Sequence, residues 1–335
     1  MTGTRSEGGR AGIVCAGNWI VDLVHELRDW PEKSAIAHIL SQSTGVGGGP
    51  ANVALGLHRM GAPYPIHPVG LIGADGMGDA ILRQCREAGL SVERLRRTDR
   101  AATSQSHVMT VPGDSRTFFY HPGANDILRP ADIDMAELAA LDARIFYLGY
   151  LNLLAALDRI GPDGRTGAAA LLAAARAAGM TTCVDLASST APDYAAVVAA
   201  TSPEIDVLFG NEVEAARATG RAIAGPRDVD GMAEAARALV RGGVRRAVIL
   251  HSAERTIWCE AGRVDIFAPD PVPPGAVVSP VGAGDAFAAG ILHGLHEGWD
   301  RARAVDLAFR AAAACLRGRS STDGLGALAG ALARD

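Results

Sequence analysis

Two glycines and an acid stand together near the carboxyl end of the chain, in Ser279-Pro280-Val281-Gly282-Ala283-Gly284-Asp285-Ala286-Phe287-Ala288-Ala289-Gly290. Glycines let the backbone turn sharply and leave amide N–H groups uncovered. From Asp285 onward the pattern is helical, with Phe287, Ile291, Leu292 and Leu295 on one stripe. Bare amides feeding a helix N-terminus make an anion site, because unpaired N–H groups and the positive dipole end point the same way. Asp285 puts a carboxylate at that spot. An anion hole from Gly282, Ala283 and Gly284 beside a base at Asp285 is what phosphoryl transfer to an alcohol requires.

Three further segments carry polar side chains where a ligand could meet them. In Gly45-Val46-Gly47-Gly48-Gly49-Pro50-Ala51-Asn52-Val53-Ala54, glycines such as Gly48 allow close approach to the backbone, and Asn52 offers a donor and an acceptor to ligand hydroxyls. A glycine-rich turn with a surface Asn accounts for the same residues. Asn18 and Asp22 follow the first apolar strand, at the edge where ligands sit, or they stabilise their own turn. Asn211-Glu212-Val213-Glu214 opens a helix, where Asn is a normal cap and acids suit the dipole. The other reading has Glu214 holding waters on Mg²⁺ and Asn211 near phosphates. His107, His121 and His251 show no ligand spacing and are expected to be exposed or hydrogen-bonded; Ser104 and Ser106 lack a nucleophile elbow.

The elements that must position these residues alternate along the chain. Apolar strands are predicted at 13–16, 66–72, 144–148, 182–185, 207–209 and 247–250, with Val277 and Val278 reading as a further strand end. Helices are predicted at 50–60, 78–88, 168–178, 212–218 and 232–240. Such alternation indicates a mostly parallel sheet covered on both faces, with ligands off the carboxyl ends of its strands. Residues 36–43, 103–111 and 117–120 alternate instead, the last two joined by a Pro112-Gly113-Asp114 turn; they predict a small antiparallel sheet projecting from the main domain.

Composition narrows the chemistry. The chain has 335 residues, a net charge of −5 and no block of like charge, which argues against nucleic acid or an anionic membrane as partner. No apolar run reaches spanning length, and the polar residues Met1 to Arg10 hold no secretory core. The five scattered cysteines are expected to be buried thiols in a reducing cytoplasm. Lys33 is the only lysine, and with Glu32 before it and no glycine loop it reads as surface. Walker A loops and protein-kinase strand lysines are therefore absent, and nucleotide chemistry must rest on amides, Mg²⁺ and arginine.

Taken in chain order, the sequence resembles the ribokinase-like, PfkB-type carbohydrate kinases. The matching pieces are Gly47-Gly48-x-x-x-Asn52-x-Ala54, Gly70-x-x-Gly73-x-Asp75-x-x-Gly78, Pro122-Gly123-Ala124-Asn125, Asn211-Glu212-x-Glu214 and Gly282-Ala283-Gly284-Asp285-Ala286-Phe287. The resemblance implies a single α/β domain over 11–335, a three-layer sandwich with a β lid inserted from about 19–45 and 98–124. It implies an ATP- and Mg²⁺-dependent phosphotransferase acting on a primary hydroxyl of a sugar, sugar acid or nucleoside. Asp285 would be the base, the amides of Gly282, Ala283 and Gly284 the phosphoryl cradle, and Asn18, Asp22, Gly48 and Asn52 the sugar site. Asn211 and Glu214 would serve Mg²⁺ and phosphate, with His251 and Ser252 beside the nucleotide, and the lid would form a homodimer contact. Ser279-Pro280 stands where the family often has Asp-Thr, which leaves K⁺ activation open, and Gly49-Pro50 replaces the Lys-Gly of ribokinases proper. Two other readings stand beside this one. A sugar-binding relative without catalysis is the first. A dinucleotide-dependent oxidoreductase is the second, since Gly282-Ala283-Gly284 mimics the start of its fingerprint but lacks the third glycine.

Overall fold

The computed structural model describes residues 9–111, 116–279, 281–318, 320–330 and 332. The expected turn at Pro112-Gly113-Asp114, Pro280 and the first eight residues lie outside them. Among the described residues thirteen strands form two sheets: β1 Ile13–Gly17, β2 Ile20–Leu27, β3 Ile39–Gly47, β4 Ile66–Gly73, β5 Leu95–Thr98, β6 Ser104–Thr110, β7 Thr117–His121, β8 Ile145–Leu151, β9 Thr181–Leu186, β10 Val207–Asn211, β11 Ala247–His251, β12 Thr256–Glu260 and β13 Arg263–Phe267. The nine-stranded sheet runs β13-β12-β11-β10-β9-β8-β1-β4-β5 and is parallel except at β12 and β13.

Alternation along each central strand divides the core into two. On β1, Ile13 and Cys15 pack with the helices Gly49–Arg59, Ala283–Glu297 and Arg301–Leu316. Val14 and Ala16 pack on the opposite face with Gly167–Ala177 and Val229–Arg241. Both faces are dry, so these strands read as continuous apolar runs. Full burial of a side chain such as Phe146 or Phe209 contributes about 1.5–3 kcal/mol. The helix Gly167–Ala177 shows the local logic: Thr166 caps it by accepting from Ala169 N–H at 2.9 Å, and Ala168, Leu171, Leu172 and Ala175 form its buried stripe.

The second sheet, in the order β3-β2-β6-β7, consists of two antiparallel hairpins that meet along a parallel β2–β6 seam. Asp22 pairs with Gly45 and Ser106, and Ser106 with Tyr120, so these residues share one face. The strand predicted at 36–43 begins only at Ile39, which pairs with Leu27; Ile36 precedes the register and is 91% exposed. β2 itself was not expected as a strand: burial alternates from Val21 to Leu27, but residue type does not follow it, since the apolar Val24 lies on the more open face and His25 on the buried one.

One expectation fails. Val277 and Val278 are not a strand end but follow a short 3-10 turn at Pro274–Ala276 and are exposed. The N–H groups of Val278 and Ser279 both donate to the carbonyl of Leu316, at 2.7 and 3.1 Å, instead of joining a ladder. β-branched residues favour strands only where a neighbouring strand and burial are available. A Rossmann turn requires a strand ahead of its glycines, so this approach also removes the dinucleotide reading.

Candidate active site

The loops after β1, β8, β9, β10 and β11 all leave the same edge of the sheet, and the helix Ala283–Glu297 starts there. Its N-cap is Gly282, at φ 81°, and no side chain caps that end. A Cβ at Gly282 would stand 2.4 Å from the Cβ of Ser321, so the left-handed turn and the close approach both demand glycine. Val281 to Gly284 are only partly covered, which leaves the first-turn amides of Ala283 and Gly284 open to a ligand.

Asp285 lies in the first turn of this helix, 5% exposed. Its Oδ2 accepts from Asn52 Nδ2 at 2.8 Å, and its Oδ1 accepts from the Tyr150 hydroxyl at 2.6 Å. Asn52 is fixed in turn: Ser321 Oγ donates to its Oδ1 at 2.7 Å, and its N–H donates to the carbonyl of Gly48, the residue that begins the Gly49–Arg59 helix, at 2.9 Å. Burial pushes the Asp285 carboxyl up to about 6, against the pull of the Tyr150 and Asn52 donors. A group ionising there is a serviceable base at neutral pH.

Asn18 is wholly buried; its Nδ2 donates to Leu153 O at 2.8 Å and its Oδ1 accepts from Tyr150 N–H, so it fastens the end of β8 to β1. Asp22 comes from the lid and is pushed up to about 7 by burial and then by the Asp285 charge. Asn211 and Glu214 form a capping box: Asn211 Oδ1 accepts from Val213 and Glu214 N–H, both at 2.9 Å, and Glu214 Oε2 accepts from Asn211 N–H at 2.8 Å. Glu214 Oε1 accepts from Ser188 Oγ at 2.7 Å, and burial pushes this carboxyl up to about 7. His251 lies under the glycine loop, with Cε1 3.2 Å from where a Gly284 Cβ would stand and its ring 5.0 Å from that of Phe287. Burial lowers its pKa to about 4, so it is neutral. Ser252 closes the β11–β12 turn, its Oγ donating to Pro226 O at 2.7 Å.

Four neighbours had not been singled out as site residues. Tyr150 and Ser321 hold the acid and the amide that meet at the centre. Asp185 ends β9, 5% exposed, with its pKa raised well above the ordinary carboxylate range by burial, Glu214 and Asp285. Arg116, just before β7, reaches Ser279 Oγ with its guanidinium at 3.1 Å, bringing the lid beside the glycine loop. Asp185 carried a signal, a lone acid at the carboxyl end of an apolar strand; Ser321 carried none, since only the fold brings it to Asn52. His25, a histidine not taken up in the sequence reading, is buried with no hydrogen-bond partner among the described residues on either ring nitrogen, and its ring lies 5.7 Å from that of His107. Lys33 is exposed and all five cysteines are buried and unpaired.

A cavity of about 790 Å³ lies elsewhere, between β12–β13 and Arg301. It contains none of these residues, and its charges satisfy one another, as Arg301 with Glu260 at 2.9 Å and Arg263 with Asp265 at 3.1 Å. The chemistry is concentrated at the glycine loop instead. Among the described residues no helix is long and apolar enough to cross a membrane.

The model of the pfkB family of carbohydrate kinases matches residues 10–326. Probable fructokinase-3 of Arabidopsis thaliana is 28% identical over 155 residues, 44% of this chain and 41% of that protein, so less than half of the relative's length is matched. Adenosine kinase of Saccharomyces cerevisiae is 23% identical over 295 residues, 87% of this chain and 81% of its own. The solved structure of Arabidopsis thaliana ribokinase complexed with ribose and ATP superposes with a TM-score of 0.76 at 21% identity, covering 95% of this chain and 96% of that one. The three-layer sandwich with its small second sheet is thus a shared fold.

Proposed function

Because the chain belongs to the pfkB family of carbohydrate kinases, we propose that it transfers the γ-phosphoryl group of ATP to a primary hydroxyl of a small sugar, sugar acid or nucleoside. One observation carries this reading: a buried carboxylate, Asp285, stands in the first turn of a helix whose amides begin at an uncapped, partly open glycine loop. In this reading the amides from Gly282 to Gly284 hold the migrating phosphoryl group. The acceptor oxygen forms its bond to phosphorus as the bond to ADP breaks, and Asp285 takes the acceptor's proton. Little covalent help is required; charge stabilisation and alignment do most of the catalysis. Asp285 has to accept the proton only late, as the alcohol becomes acidic on bonding to phosphorus.

Asn52 and Asp22 hold acceptor hydroxyls beside Gly48, while Asn18 shapes the pocket by fixing Tyr150. Asn211, His251 and Ser252 border the nucleotide side. Arg116 is a basic group that the lid brings to Ser279, and we assign it to the phosphates. The residues suit Mg²⁺ as well: the Asp185 carboxyl is raised by burial and then by Glu214 and Asp285, and that of Glu214 by burial and then by Asp285 and Glu212, a surplus of negative charge that a cation would relieve. Glu214 would hold it largely through water, as Mg²⁺ usually allows. When bound it would neutralise the charge of the phosphate chain. The lid exposes Trp30, Ile36, Ile39, Leu40, Phe118 and Phe119, which supports a homodimer formed through it. Five buried thiols suit a reducing compartment such as the cytoplasm.

The test is an ADP-release screen with Mg·ATP over pentoses, hexoses, sugar acids and nucleosides, with Asp285→Asn as the blank. At least one acceptor should give turnover that the blank lacks. Tight binding of a sugar without ADP release from any acceptor would favour the silent relative.

A further inference from the structure

We infer that Tyr150 is a positioning residue for the base, its hydroxyl keeping Asp285 oriented and ionised. The inference rests on Asp285 being the base. Tyr150 Oη donates to Asp285 Oδ1 at 2.6 Å while Asn52 donates to the other oxygen, so the carboxylate is held at both ends. Each carboxylate oxygen retains a lone pair for the acceptor's hydroxyl. The Tyr150 hydroxyl is a neutral donor throughout the working range, since burial and then the Asp285 charge hold its pKa well above the ordinary phenol value.

The ring cannot easily leave. A Cβ at Gly49 would stand 2.8 Å from Tyr150 Cε1, so the glycine run after β3 clears a place for this ring. Asn18 Oδ1 holds the Tyr150 backbone N–H. Asn18, otherwise assigned to acceptor binding, and Gly49, next to Gly48 in the same glycine run, thus meet on Tyr150.

The electrostatic demand for such a donor is plain from what faces Asp285. The lid contributes Asp22, β8 Tyr147, β9 Asp185, the Glu212–Thr219 helix Glu214, β11 the neutral His251, and the Arg301–Leu316 helix Cys315. None of these supplies a positive charge. Arg116 lies at Ser279, and Asn52 and Tyr150 are the hydrogen-bond donors on the carboxylate itself. In a desolvated acidic setting, donation to the ionised form is what keeps a carboxyl from binding a proton.

Tyr150→Phe removes the hydroxyl and keeps the ring. Carboxyl ¹³C NMR of the free protein, with the Asp285 resonance identified by its loss in Asp285→Asn, should show the Asp285 midpoint raised by about one pH unit. In kcat/KM against pH, the variant should lose about fivefold near pH 6 and approach a tenfold loss at about pH 5 and below, and recover towards alkaline pH, where the carboxyl ionises unaided. A thermal melt close to that of the unaltered chain shows that the fold is kept. An unmoved Asp285 midpoint, or a loss of rate equal at every pH, would make Tyr150 a packing residue and overturn the inference. The titration is read without substrate, so a lack of ADP release from the unaltered chain would count against phosphotransfer alone.

Discussion

Glu214 shows how one side chain can answer two demands. Its Oε2 closes the capping box with Asn211, while Oε1 is held by Ser188 beside the buried acids Asp185 and Asp285. A cap alone gains nothing from a carboxyl pushed up to about 7, since a neutral amide would serve the box equally well. Glu214→Gln separates the roles. The glutamine oxygen can still accept from Asn211 N–H, so the melting temperature should change little. The Mg²⁺ concentration for half-maximal ADP release should rise about tenfold, because the charge facing the cation is gone. An unchanged Mg²⁺ titration would leave Glu214 as a cap and nothing more.

At the scale of elements, the active edge depends on a turn of backbone against a distant segment. Gly282 sits at φ 81° with Ser321 directly behind it, and Ser321 reaches on to Asn52. Gly282→Ala would cost about 1–2 kcal/mol for the left-handed backbone alone, and its methyl would push Ser321 away from Asn52. Turnover should fall by about tenfold or more, and a melt should show lower stability; unaltered turnover would separate the loop geometry from catalysis. The sequence made much of this edge legible, because strand ends, glycine loops and helix starts are local patterns. Asp285, Asn52 and the Asn211–Glu214 box each announced themselves through spacing. Tyr150 and Ser321 did not, since their partners lie 135 and 269 residues away in the chain. Val277 and Val278 misled because side-chain type alone cannot say whether a neighbouring strand is present. β2 was hidden because its two faces serve different surroundings, one packed and one carrying Asp22 towards the site.

For the whole molecule, the two cores on either side of the nine-stranded sheet make a rigid platform, while the lid has one sheet and a conspicuous exposed apolar surface. Ile39 and Leu40 are each 53% exposed, Phe118 57% and Phe119 52%. A second copy of the chain pairing through the lid would cover them, and burial of that surface would be the main driving force. Light scattering coupled to size exclusion should therefore give twice the mass of one chain, and Leu40→Glu should shift the protein towards the monomer. A single-chain mass for the unaltered protein at micromolar concentration would leave the lid without that role.

The central claim is that Asp285 takes the acceptor's proton beside a cradle of main-chain amides, and Asp285→Asn measured on the acceptor found by the screen tests it most directly. Single-turnover phosphorylation should slow by about 10²–10⁴-fold, while the calorimetric affinity for the acceptor stays within a few fold. Phosphorylation near the original rate with Asn at 285 would contradict the claim.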